Sequence, residues 1–167
     1  AVLPPDNTLL SAALDRDAEQ ETAFASALLG TASVSDSGGG VCLYTGEYGQ
    51  CSIRAGGAVE SALSRPVEDP EAFCRSLFKA FGYTLTRSQL TNGSGTVSGT
   101  RTTASSPVFN ASLTLTFSSG NLTTVSGIFL SALTEGRRSD GIDALTALVQ
   151  FLDYRSASGL VCTQILS

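Results

Sequence analysis

Ser76-Leu77-Phe78-Lys79 sets a serine and a lysine three residues apart on one helix face, the spacing of an SxxK acyl-transfer nucleophile. That chemistry needs SDN and KTG companions. The chain offers only Ser139-Asp140-Gly141 and no KTG, and Lys79 is its single lysine, so Ser76 and Lys79 are expected to be exposed beside a buried Phe78. Glu47, Glu60, Asp69 and Glu135 are candidates for the carboxylate pair of a glycoside hydrolase, although no spacing singles out two of them. Asp15, Asp17, Glu19 and Glu21 alternate along a predicted helix that turns them around its axis, so a solvated acidic face is expected instead of a cation site. Ser37-Gly38-Gly39-Gly40 lacks the Lys-Ser/Thr of a phosphate loop and precedes a strand, as a flexible turn would. The chain has no histidine, which removes the commonest general base and metal ligand. The expectation is a non-enzyme with no catalytic, cofactor-binding or metal residue and no cofactor.

Four cysteines remain. Counting outward from a two-residue turn at Gly46-Glu47 places Cys42 directly opposite Cys51, at a pair where neighbouring strands come closest. A Cys42–Cys51 disulfide and two reduced thiols packed as small hydrophobes both fit. Cys74, on a helical stripe with Phe78 and Phe81, either pairs with Cys162 or stays a buried thiol. No CxxC spacing suggests zinc.

Around these residues, 167 positions with 42% hydrophobic content suffice for one domain or two fused halves. Only 15% are charged, and Ser and Thr supply much of the polarity, a composition suited to strands and turns. Net charge is −5: residues 1–71 carry eleven acids and three arginines (−8), and residues 72–167 carry seven bases and four acids (+3). An acidic chain with one lysine and no basic stripe is a poor nucleic-acid ligand. No apolar run reaches the roughly 18 residues of a spanning helix. The apolar, Pro-broken start Ala1-Val2-Leu3-Pro4-Pro5 reads as though an export or anchoring segment had preceded it.

Three helices are expected. The first is capped by Asp6 or Asn7, with Leu10, Leu14, Ala18, Ala25 and Leu28 at helical spacing before Gly30. The second has Asp69 as N-cap, Pro70 at N1, and Phe73, Leu77 and Phe81 on one stripe ending at Gly82. The third is capped by Ser139 or Asp140 and carries Ile142, Leu145, Val149 and Leu152. Residues 109–117 alternate apolar and polar as a strand with one wet face. A bulged loop at residues 119–121 would set Val125 opposite Leu115, residues 83–105 read as a hairpin about Asn92-Gly93, and a last strand is expected at residues 160–165.

Two stretches about seventy residues apart read alike: residues 41–53, Gly57, Ser61-Ala62-Leu63-Ser64 and Asp69 against residues 113–125, Gly127, Ser131-Ala132-Leu133-Thr134 and Asp140, with Tyr83 and Tyr154 closing the helices. The expected fold is therefore α+β, a duplicated helix plus antiparallel hairpin or meander with helices packed on one sheet face. The first repeat would span residues 1–68 and the second residues 69–167. Sequons at Asn92, Asn110 and Asn121 fall at turns and on a polar strand face.

The run Pro107-Val108-Phe109, the alternating strand, the turn at residues 118–121 and Leu122 to Gly127 resemble the repeat of YycI/YycH-type extracytoplasmic regulators of Gram-positive bacteria and, more loosely, PepSY-like domains. The resemblance implies a membrane-tethered exported domain that modulates a sensor kinase by protein contact; no functional residue maps one to one. The expected function is a non-catalytic regulatory or binding domain, membrane-anchored or secreted, acting through an open sheet face or edge. The alternatives are an inhibitor-like module that presents the Gly46-Glu47 and Asn92-Gly93 turns to an extracellular enzyme, and a wall or carbohydrate hydrolase.

Overall fold

The structure, a computed structural model, describes residues 8–13, 16–36, 38–103 and 106–140. The chain forms two compact units, residues 14–133 and residues 1–13 with 134–167. In the smaller, β1 (Thr8–Ala13) pairs antiparallel with β11 (Thr134–Asp140), from Thr8 opposite Asp140 to Ala13 opposite Thr134, with a bulge between Leu10 and Ala12.

The larger unit begins with α1 (Ala18–Leu29), then β2 (Ala32–Asp36), β3 (Val41–Gly46), β4 (Gly49–Arg54), β5 (Ala58–Leu63) and β6 (Arg65–Pro66). It continues with α2 (Pro70–Ala80), β7 (Tyr83–Thr91), β8 (Ser94–Thr103), β9 (Ser106–Ser118) and β10 (Asn121–Ile128). Its strands join in one nine-stranded antiparallel sheet ordered β2-β3-β4-β5-β10-β9-β8-β7, with the short β6 also on β10.

This architecture corrects the expected α+β class: the chain is predominantly antiparallel β, with two helices among the described residues. The misreading began at the N-terminus. Thr8-Leu9-Leu10-Ser11-Ala12-Ala13 supplies apolar residues that fit helical spacing but is strand, an ambiguity inherent in short apolar runs. The first helix is instead capped by Asp17, whose side chain accepts the Glu19 and Gln20 N–H groups. The helix expected after Asp140 and the strand at residues 160–165 lie outside the described residues. The second helix has Asp69 as N-cap and Pro70 at N1 as anticipated.

The sheet contains a doubling, with a phase different from the one read along the sequence. α1 with β2–β5, and α2 with β7–β10, each run as a helix followed by a four-stranded meander, and the two fourth strands, β5 and β10, pair at the centre. Residues 41–53 are thus second and third strands of their meander, whereas residues 113–125 are third and fourth strands of theirs. The structural spacing is 52 residues: Asp17 and Asp69 cap the helices, and Gly30 and Gly82 follow them at positive φ. The compact units divide the chain elsewhere than at residue 68.

Both helices bury apolar residues against the sheet. Phe24, Ala25, Leu28 and Leu29 of α1, and Cys74, Leu77 and Phe78 of α2, join Tyr44, Ile53, Val59, Val97, Leu113, Leu115, Phe117 and Val125 in one core. Phe24 stacks on Phe129 at 4.1 Å between centroids and meets Phe81 edge-on at 5.3 Å, which ties the helices to each other. Gly99 makes room for Phe78, whose ring lies 2.8 Å from where a Cβ would sit. Each fully buried large side chain contributes on the order of 1.5–3 kcal/mol.

An arginine from the strands caps the C-terminal end of each helix, where carbonyls lack partners. Arg65 donates to the Ala27 carbonyl while its guanidinium lies between the rings of Tyr48 and Phe73, at 5.3 and 4.9 Å. Arg101 donates to the Phe81 carbonyl and lies 5.7 Å from the Tyr83 ring centroid.

Candidate functional site

The sheet face opposite the helices is built by strand alternation. Along β9, Ala111, Leu113, Leu115 and Phe117 are buried, while Ser112, Thr114, Thr116 and Ser118 point the other way. Strand register extends this polar face across the whole sheet: Ser35, Leu43, Ser52, Glu60, Ser126, Thr114, Ser98 and Arg87 lie directly opposite one another in turn. Thr124, Thr116, Thr96 and Gln89 form a second row. None of these residues is aromatic, and Leu43 alone is apolar.

Hydrogen bonds fix many of these hydroxyls. Ser98 and Thr114 bond across β8 and β9 at 3.0 Å, Ser52 donates to the Glu60 carbonyl at 3.3 Å, and Thr123 donates to the Thr116 carbonyl at 3.0 Å. Glu60 accepts from Arg54 at 2.9 Å in an exposed pair. A shallow depression of about 200 Å³ lies on this face beside Leu43, Gln50, Ser52 and Glu60. The surface is therefore flat, hydroxyl-rich and nearly neutral.

The two edges differ. β7 carries a bulge between Leu85 and Arg87 and an exposed arginine, both of which discourage strand addition. β2 is a plain five-residue strand with Val34 55% exposed, the one exposed large hydrophobic among the described residues.

Within residues 14–133 the sequence-derived candidates do not converge on one place. Ser76 and Lys79 are both exposed on α2. Glu47 is exposed in the β3–β4 turn, Glu60 is paired with Arg54, and Asp69 commits its carboxylate to the Glu71 and Ala72 N–H groups. Glu135 belongs to β11 in the other unit. No three His, Cys, Asp or Glu side chains gather among the described residues as a metal-sized cluster.

Cys42 and Cys51 are not opposite each other. Cys42 faces Ile53 and Cys51 faces Tyr44, a diagonal relation, and Cys42, Cys51 and Cys74 are free thiols. The turn is centred on Glu47-Tyr48, one residue later than expected, and Gly46 at its start lies against the end of α1. A Cβ there would stand 2.6 Å from the Thr31 carbonyl oxygen and 2.7 Å from the Leu29 side chain. Burial pushes the Cys51 and Cys74 thiols up to about 12, with the Glu71 charge adding to the effect at Cys74. Cys162 lies outside the described residues.

Of the acidic face expected on the first helix, Glu19 is exposed, Asp15 lies outside the described residues, and Glu21 departs from the expectation. Glu21 is only 3% exposed; Arg16 grips it through Nε and Nη2 at 2.8 and 2.5 Å, and the Tyr44 hydroxyl donates to it at 3.3 Å. Burial, followed by the Glu21 charge, pushes the Tyr44 hydroxyl up to about 12. The 52-residue spacing places Glu21 where α2 has the partly buried Phe73.

The predicted turns share one end of the sheet. Backbone bonds run from Ser64 N–H to Tyr48 O, from Val67 N–H to Gly120 O and from Gly120 N–H to Gly93 O. Asn92, at φ 51, and Glu47 stand exposed along that end.

Comparison with known family models, curated proteins and solved structures finds no match for this chain.

Proposed function

We propose that this chain is a non-catalytic, extracytoplasmic regulatory or binding domain that acts by protein–protein contact through its hydroxyl-rich sheet face. The row from Ser35 to Arg87 carries this reading: eight neighbouring strands present small, mostly uncharged polar side chains in register. Eight strands at about 4.8 Å spacing span roughly 34 Å, comparable with one partner's share of a standard protein interface. Short Ser and Thr side chains lose little rotamer freedom when covered, and many here are already hydrogen-bonded. A membrane sensor kinase of a Gram-positive bacterium is the partner that the sequence resemblance favours.

Photo-crosslinkers at Ser126 and Thr114, compared with one at the exposed Ala72 of α2, test the reading in membranes that contain the kinase. Adducts to the kinase from the sheet positions alone are expected. Adducts from Ala72 alone, or from no position, would refute it.

A second reading, an inhibitor-like module, is favoured by the alignment of the Glu47-Tyr48 and Asn92-Gly93 turns at one end of the sheet. It requires Glu47→Ala and Asn92→Ala to weaken inhibition of an extracellular protease, lactamase or wall hydrolase while Thr114→Arg leaves it intact.

A further inference from the structure

On the helix side of the sheet, a cavity of about 310 Å³ opens between the start of α1 and the end of α2, bordered by Asp17, Gln20, Phe81, Gly82, Arg101 and Ser131. We propose that it binds a small monoanionic carboxylate, held by the Arg101 guanidinium with the Gln20 amide and Ser131 hydroxyl as flanking donors. This is independent of the sheet-face reading.

Arg101 is held in place but left incompletely bonded. Its Nη1 donates to the Phe81 carbonyl, its guanidinium lies by the Tyr83 ring, and Gly82, at φ +70, leaves the space it fills. No carboxylate pairs with it among the described residues. Its Nε is buried without an acceptor. With Nη1 committed and Nε closed off from the cavity, Nη2 is the donor left for a carboxylate.

The surroundings select the ligand's charge. Ser131 Oγ accepts the Asp17 N–H at 2.9 Å, so the hydroxyl proton stays free to donate. Asp17 borders the same cavity, and one guanidinium beside one carboxylate suits a monoanion better than a phosphate dianion.

Titration of the ¹⁵N-labelled protein with acetate and butyrate, against chloride and inorganic phosphate at equal ionic strength, tests the site. The expected result is a saturable shift of the Arg101 Nε–H resonance and of the Gln20, Gly82 and Ser131 amides with the carboxylates only. Affinity should fall about tenfold in Arg101→Met and measurably in Ser131→Val and Gln20→Leu. If Arg101→Met does not fold, the other two variants carry the test. Shifts that match chloride, tighter binding of phosphate, or unchanged affinity in both Ser131→Val and Gln20→Leu would overturn it.

Discussion

The Ser61 hydroxyl bridges the backbone of Val125, donating to its carbonyl at 3.1 Å and accepting its N–H at 2.6 Å. Here β5 and β10 stop exchanging main-chain bonds after Glu60–Ser126, and β6 resumes the pairing at Arg65–Leu122. A side chain thus bridges the gap between the two meanders.

Ser61→Ala should leave the Val125 N–H and carbonyl without this partner and cost about 1–3 kcal/mol. Urea unfolding monitored by tyrosine fluorescence measures the loss, and an unchanged midpoint would mean that water replaces the hydroxyl.

Gly82→Ala places a Cβ against Arg101 Nη1 at a φ of +70, where an L side chain is strained, and should destabilise the fold by about 1–3 kcal/mol. Arg101→Met removes the colliding group. In a double-mutant cycle, Gly82→Ala should cost less in that background, and the coupling energy isolates the clash from the backbone strain.

Burial also holds protons on the Cys51 and Cys74 thiols and the Tyr83 hydroxyl, all pushed up to about 12 from ordinary values of 9.0 and 10.0. Their contribution to stability is whole below those ordinary values and is lost as pH rises towards 12, because the unfolded chain ionises first. Denaturant midpoints should therefore fall steadily above pH 9. At pH 8, alkylation followed by peptide mapping should mark half-buried Cys42 before Cys51 and Cys74.

Glu21→Gln removes a buried charge that faces Arg16 and Tyr44. Arg16 is 35% exposed and regains water, so the expected cost is moderate, about 1–2 kcal/mol. Ultraviolet titration should show the Tyr44 hydroxyl ionising at lower pH than in the parent protein, yet above 10 because burial remains its main cause of elevation.

Local chemistry was legible in the sequence where one residue decides it. Asp69-Pro70 announces the start of α2, the period-two pattern of residues 109–117 announces β9, and Asn92-Gly93 announces the β7–β8 turn. Val125 does face Leu115, and a bulge between Leu122 and Thr124 sets that register. Features that depend on distant neighbours were hidden. Gly46 flanks the turn instead of forming it, its lack of a side chain lets β3 pass close to the end of α1, and the turn one residue later sets Cys42 diagonal to Cys51. Glu21 resembles its solvated neighbours until Arg16 and Tyr44 close over it. The polar character of β9's wet face was readable, but its continuity across eight strands depends on β5 meeting β10, which no local pattern encodes.

The central pairing of β5 with β10 covers an edge strand of each meander with the other. A break between Glu68 and Asp69 would leave each fragment with a further edge strand of unpaired amides and carbonyls. Fragments made separately should recombine when mixed and clump when left alone.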